Sequence, residues 1–166
     1  MRHLSHQGHA DDLVVLDVHS IMDSVLYISH GELKHTARLE KRYAPNLPLI
    51  LGNEGRLGQV FLNLIVNAVH AMRPGTPVDN TLRVQTSLDG GLVRIDISDT
   101  GHGIPPEAMP HIFDPFFTTK PAGMGTGLGL SISHSIIQRM GGEIRVESRV
   151  GQGTTFSLLL PAYNEP

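Results

Sequence analysis

Residues 59–72 read QVFLNLIVNAVHAM, and this stretch decides the fold. It contains neither proline nor glycine and predicts one continuous helix. Gln59, Asn63 and Asn67 recur every fourth residue and lie along a single stripe. Phe61, Leu62, Ile65, Val66, Val69 and Met72 fill most of the remaining circumference, which predicts a helix buried nearly all round. Amides on such a helix need partners. Two readings stand at this level. The amides bond to neighbouring backbone, or they offer carbonyl oxygens to a hard cation and amide groups to phosphate.

The surrounding composition narrows the choice. The chain has 166 residues with 40% apolar content, a size expected for one domain with a closed core. Lys plus Arg is 13 against 16 for Asp plus Glu, so no basic footprint for nucleic acid or an anionic membrane is present. The absence of cysteine excludes disulfides, thiolate chemistry and Cys-type zinc sites. No apolar run reaches membrane-spanning length, and the expectation is a cytoplasmic domain of a parent protein that is either membrane-anchored or free. Eighteen glycines occur in clusters, which points to backbone-lined ligand sites.

Outward from the central helix, residues 1–12 form a polar, His-rich stretch expected to be a flexible leader. Residues 17–37 have helical spacing through Ile21, Val25, Ile28 and Leu33. Residues 38–43 alternate as a strand, Pro45 and Pro48 bracket a turn, and residues 49–51 form a short strand. Residues 81–88 and 92–98 alternate around Asp89-Gly90-Gly91 and predict a hairpin. Residues 128–140 predict a helix, and 143–148 and 154–160 two more strands. Three helices and six strands in this order predict an α/β two-layer sandwich, a mixed and mostly antiparallel sheet with helices on one face. The domain is expected over 13–161, with a tail at 162–166.

Four further motifs carry chemistry. Asp99-Thr100-Gly101-His102-Gly103 follows a strand; a carboxylate there can accept a hydrogen bond from an exocyclic amine, while the glycines admit a flat ligand. It also reads as a plain Asp-x-Gly turn. Gly123-Met124-Gly125-Thr126-Gly127-Leu128-Gly129-Leu130 runs into a helix, a pattern that is either an anion cradle or a hinge. It matches neither the P-loop nor the dinucleotide-binding glycine spacing. Phe113-Asp114-Pro115-Phe116-Phe117-Thr118-Thr119-Lys120 sits in the long stretch of about residues 100–127, where repeated prolines break any periodicity. A loop of that length suits a lid, its three phenylalanines docking on apolar surface. Lys120 then either reaches a phosphate or stays solvated. Gly151-Gln152-Gly153-Thr154 is a tight hairpin or a means of placing a hydroxyl beside a ligand.

Together these motifs resemble the N, G1, F, G2 and G3 boxes of the ATP-binding catalytic domain of two-component sensor histidine kinases, in the superfamily shared with gyrase B and MutL. The resemblance covers about residues 53–161, and the sub-type is that of the NtrB-like kinases, whose F box also reads DPFFTTK. It implies the Bergerat ATP-binding fold, with ATP and Mg²⁺ as ligands. Asn63 would coordinate Mg²⁺ and Asn67 would contact phosphate. Asp99 would bind the adenine amine, with Gly101 and Gly103 lining the base pocket. Gly125, Gly127, Leu128, Gly129 and Leu130 would hold the phosphates, and Thr154 would lie near the base. Gln59 and Lys120 complete the candidate catalytic set.

Two departures matter. The ATPase members carry Glu at the position of Gln59 to activate water, and Gln cannot accept that proton. Many kinases carry Lys or Arg at the position of His70. In addition, none of the ten histidines stands in the form H-E/D-x-x-x-P expected of the phosphoacceptor. The chain is therefore expected to be an excised, monomeric catalytic domain. It would act on a phosphoacceptor-His dimerisation domain and, through it, a response regulator. Alternatives are an autonomous ATPase of the same fold and a nucleotide-binding pseudokinase or docking module.

Overall fold

The structure is a computed structural model and describes residues 13–75, 77–120 and 127–165. The chain runs β1 (Val14–Leu16), α1 (Val18–Ile28), α2 (His30–Leu33), β2 (Arg38–Arg42), β3 (Ile50–Gly52), α3 (Glu54–Ala71), β4 (Thr81–Asp89), β5 (Leu92–Asp99), α4 (Gly129–Arg139), β6 (Glu143–Arg149) and β7 (Gly153–Pro161). A single 3₁₀ turn, Met109–His111, interrupts the described part of the long loop after β5.

Five strands form one sheet in the order β2-β4-β5-β7-β6. β2 is parallel to β4, and the other neighbours are antiparallel. The β4–β5 hairpin closes through Gly90 and Gly91, at φ 56° and 84°. Two consecutive positive φ values match the strand twist and are costly for any residue with a Cβ. The period-2 pattern buries Leu82, Val84 and Thr86 on β4 and Val93, Ile95 and Ile97 on β5. Phe156, Leu158 and Leu160 of β7 extend the same face. The opposite face carries cross-strand polar pairs, among them Arg83–Glu40 at 3.0 Å and Ser98–Thr155 at 2.8 Å. Helices α1, α3 and α4 pack over the apolar face, with α3 in the middle.

Helix α3 is set in place by Leu57, Val60, Phe61, Leu64, Ile65 and Ala68, all buried. Burying each large side chain among them contributes about 1.5–3 kcal/mol. Asn53 caps the helix, accepting the Arg56 N–H on its side-chain oxygen at 3.0 Å. The helix is not buried all round. Leu62 is 37% exposed, and Val66 and Val69 are partly buried. The reason is that the Asn63/Asn67 stripe and its apolar flank, Leu62 and Val66, border a cavity rather than packed side chains.

The sequence reading needs three other corrections. The helix expected over 17–37 breaks at Ser29 into α1 and the single turn of α2, beside the poor helix former Gly31. Asp17 does not lie in it; it is the cap, accepting the N–H groups of His19 and Ser20. The added strand β1, too short to show alternation, pairs with β3 in a separate two-stranded sheet. The tail is tied at its start, where Ala162 bridges Ile50 and Tyr163 N donates to Leu49 O at 2.7 Å. The leader expected at 1–12 lies outside the described residues.

Candidate functional site

A cavity of about 370 Å³ opens between α3, the loop after β5, the start of α4 and the start of β7. That volume falls in the range of small-molecule sites. Asn63 and Asn67 of α3, Asp99 of β5, Gly103, Lys120, Gly127, Gly129, Leu130 and Thr154 all line it. Residues separated by up to 91 positions in sequence are therefore brought to one place by the sheet order and by α3 packing against α4.

The two amides of α3 are anchored at opposite ends. Asn63 Nδ2 donates to Gly129 O and to Ser133 Oγ, both at 3.2 Å, so both amide protons are spent on α4 and the acceptor end, Oδ1, is left for other partners. Asn67 Oδ1 accepts from Lys120 Nζ at 3.1 Å, which leaves its Nδ2 as the donor. The Lys120 ammonium also lies 3.0 Å from His70 Nδ1. Partial burial pushes the Lys120 ammonium below its ordinary value. Its backbone is fixed by Thr118, whose Oγ1 accepts the Lys120 N–H at 3.0 Å.

On another wall, Asp99 Oδ1 accepts the Gly101 N–H at 2.8 Å. Burial raises the Asp99 carboxyl above the usual range; hydrogen bonds from the backbone N–H groups of Gly101 and Thr154, and the nearby His102, oppose that rise. A half-desolvated carboxylate at a strand end is poised to accept a hydrogen bond from a neutral N–H donor. Ser148 organises the adjoining turn: it accepts the Ile104 N–H at 2.8 Å and bonds Gly153 O and the Thr154 hydroxyl at 3.1 and 2.8 Å. Gly103 has no room for a side chain, since a Cβ would fall 2.3 Å from Arg149 O.

The start of α4 lies against the amide stripe. Gly129 faces Asn63 with space for an ordinary contact, 3.7 Å from a built Cβ to Asn63 Cγ. Gly127, at φ 71°, accepts the Phe116 N–H on its carbonyl at 2.8 Å. A Cβ there would collide with Phe116 backbone at 2.4 Å. Of the three phenylalanines expected to dock the lid, Phe113 and Phe117 pack against the core, but Phe116 is 74% exposed at φ 67°.

Other sequence candidates are not brought to the cavity. Gln59 is exposed and lies one turn nearer the helix start than the cavity reaches. Gly101 packs instead against the end of α3, where a Cβ would fall 2.4 Å from Ala71 O. Leu128 flanks α4, its carbonyl accepting from Ser131 Oγ and Ile132 N. Gly125 lies outside the described residues.

The sequence reading missed Ser133, whose partner Asn63 lies 70 positions away, and Ser148, which joins the near Gly153 and Thr154 to the distant Ile104. It also missed His102, Ile104 and Phe156 as cavity walls. The only sequence signal for these last was their position beside the glycines or in an alternating strand.

Residues 52–164 match the family described as histidine kinase-, DNA gyrase B-, and HSP90-like ATPase. The sensory histidine kinase/phosphatase NtrB of Rhizobium meliloti (strain 1021) is 34% identical over 165 residues, covering 91% of this chain and 42% of that protein. The sensor histidine kinase ZraS of Escherichia coli (strain K12) is 36% identical over 151 residues, 90% of this chain and 31% of that one. The chain thus spans less than half the length of these curated relatives. Among solved structures, the nucleotide-free catalytic domain of histidine kinase ThkA superposes with a TM-score of 0.78 at 28% identity, covering 91% of this chain and 96% of that one. Full-length ShkA in complex with AMPPNP superposes with a TM-score of 0.78 at 31% identity, covering 93% of this chain and 32% of that one. With the cavity, the amide stripe and the order of motifs in agreement, the chain belongs to the histidine kinase-, DNA gyrase B- and HSP90-like ATPase family, and its fold is that of a sensor histidine kinase catalytic domain.

Proposed function

We propose that this domain binds Mg²⁺·ATP in the cavity and delivers the γ-phosphoryl group to a histidine on a separate dimerisation domain, from which a response regulator receives it. The observation that supports this most directly is the opposed anchoring of the two amides beside Asp99 in one cavity. An amide oxygen with its nitrogen fully engaged suits a hard cation, and an amide nitrogen with its oxygen engaged suits phosphate. The donor set therefore fits Mg²⁺ at Asn63 Oδ1, completed by phosphate oxygens and water. Bound there, the ion would neutralise charge on the triphosphate.

The residues of the chain would then divide the work. Asp99 accepts the exocyclic N–H of adenine, and the ring slides past Gly103, with Thr154 close by. Asn67 Nδ2, Lys120 and the backbone N–H groups opening α4 meet the phosphates, where the helix dipole adds to the attraction. Residues of about 100–127 act as the lid. Transfer then rests on positioning and charge neutralisation. Gln59 lies off the cavity and has no carboxylate, which favours phosphotransfer over autonomous ATP hydrolysis. The domain acts as a monomer in the cytoplasm, where ATP is found.

Calorimetry with a non-hydrolysable ATP analogue tests the reading. Wild-type protein binds in a Mg²⁺-dependent manner, whereas Asp99→Asn and Asn63→Ala each lose most of the affinity. Undiminished binding by both variants would end the proposal.

A further inference from the structure

Lys120 is the one cavity-lining cation, among the described residues, that comes from the lid, and two acceptors on one face of α3 hold its ammonium. Asn67 and His70 are three apart, so their side chains meet on the same side of the helix. The Asn67 contact is an amide oxygen and does not titrate. The His70 contact is a ring nitrogen, and an ammonium can donate to it only while that nitrogen carries a lone pair. Opposite a charged Lys120, the 3.0 Å contact suits a neutral ring with its proton on Nε2.

We propose that His70 is a positioning residue for Lys120: its unprotonated Nδ1, together with Asn67 Oδ1, holds the lid's ammonium against α3, so that the lid contact carries a pH dependence. The proposal rests on the nucleotide reading above, because the held ammonium is the one that would face phosphate.

The charges around His70 fit this role. Burial and the adjacent Lys120 push its imidazole below the ordinary value, and Glu32, reaching from α2, opposes them. Asp99 and His102 stand on other walls of the same cavity. A group depressed by this contact gives up a proton as the contact forms. The contact is then fully favoured above the ordinary histidine value of 6.5 and weakens as pH falls below it. A protonated His70 loses its acceptor and sets a second positive charge beside Lys120.

The test uses this chain and three variants, His70→Gln, His70→Ala and Lys120→Met. Nitrogen NMR of the imidazole in nucleotide-free protein should show the Nε2–H tautomer, and Lys120→Met should raise the His70 titration towards 6.5. At pH 8, His70→Ala should weaken Mg²⁺-loaded, non-hydrolysable ATP analogue binding roughly 2- to 10-fold, the effect of one hydrogen bond. His70→Gln, which keeps an acceptor, should restore it. Between pH 8 and pH 5.5 the wild type should lose affinity relative to His70→Gln, a ratio that cancels the titration of the analogue itself.

An Nδ1–H ring, a titration unmoved by Lys120→Met, or wild type gaining affinity over His70→Gln at low pH would overturn the proposal. The first of these in a protein that binds nucleotide strikes this inference alone. A wild type that binds no nucleotide at either pH strikes the functional reading on which it rests.

Discussion

Asn63 and Asn67, one turn apart on α3, turn opposite ends of the same functional group towards a shared cavity. Asn63 gives its nitrogen to α4 through Gly129 O and Ser133 Oγ, and Asn67 gives its oxygen to Lys120. One residue type thereby supplies an acceptor at one position and a donor at the next. The choice is made by the neighbours, which is why substitution at the two sites should separate cleanly.

With Mg²⁺ present or removed by chelator, Asn63→Ala is expected to abolish the metal-dependent gain in nucleotide affinity. Asn67→Ala should weaken binding roughly 10- to 100-fold in both conditions, one charge-assisted hydrogen bond being worth about 1.5–3 kcal/mol. Calorimetric titrations of the two variants make the comparison. Equal loss of the metal-dependent gain in both would contradict the assignment of opposed ends.

Asp99→Asn is expected to stabilise the empty domain while damaging its site. The carboxyl is raised by burial, so the folded state holds its proton more tightly than the unfolded chain. The stability associated with that proton is present below the unfolded value and lost as pH rises through the raised folded value. At pH 7–8 the buried charge is a cost, which the neutral amide removes. Thermal denaturation should give a Tm above wild type at pH 8, with the gap closing towards pH 4. Nucleotide affinity should fall by roughly 10- to 100-fold, from a lost charged hydrogen bond.

Two glycines should respond in opposite ways to alanine. At Gly101 the new methyl meets Ala71 O at 2.4 Å, a backbone atom that cannot swing aside. The cost should be about 1–3 kcal/mol, a Tm fall of roughly 2–12 °C for a domain of this size. At Gly129 the nearest atom is 3.7 Å away and the position opens α4, so Tm should hold or rise slightly. That methyl points towards Asn63 in the cavity wall, and nucleotide affinity should drop. Circular dichroism melts paired with calorimetry separate the two outcomes.

Ser148→Ala should destabilise the domain although Ser148 is a half-buried polar residue outside the hydrophobic core. Its hydroxyl accepts the Ile104 N–H and ties Gly153 O and Thr154. Leaving a half-buried N–H without an acceptor costs about 1–3 kcal/mol. A Tm within 1 °C of wild type, on the order of the measurement's own scatter, would show that water replaces the hydroxyl fully.

Much of this molecule could be read from residue order alone. Period-2 runs at 81–88 and 92–98 around Gly90-Gly91 determine a hairpin, because each strand must bury one face and the turn must accept positive φ. The 3.6-residue stripe of Gln59, Asn63 and Asn67, followed by Asp99 and the glycines near 127, identifies the family, since those residue types at that spacing serve one chemistry. What the sequence could not supply is direction and company. It did not reveal that α3 is open on one side, because an apolar residue facing a cavity and one facing a core look alike in a string. It could not orient an amide, whose two ends differ only by which distant groups they meet, here Ser133 some 70 positions later and Lys120 some 53 positions later. It placed Gln59 on the right stripe but not off the cavity, and Gly101 beside the ligand when packing sets it against Ala71. Local pattern fixes the elements, because backbone geometry is local; the site's polarity was decided only when sheet order and helix packing brought remote partners within hydrogen-bond reach.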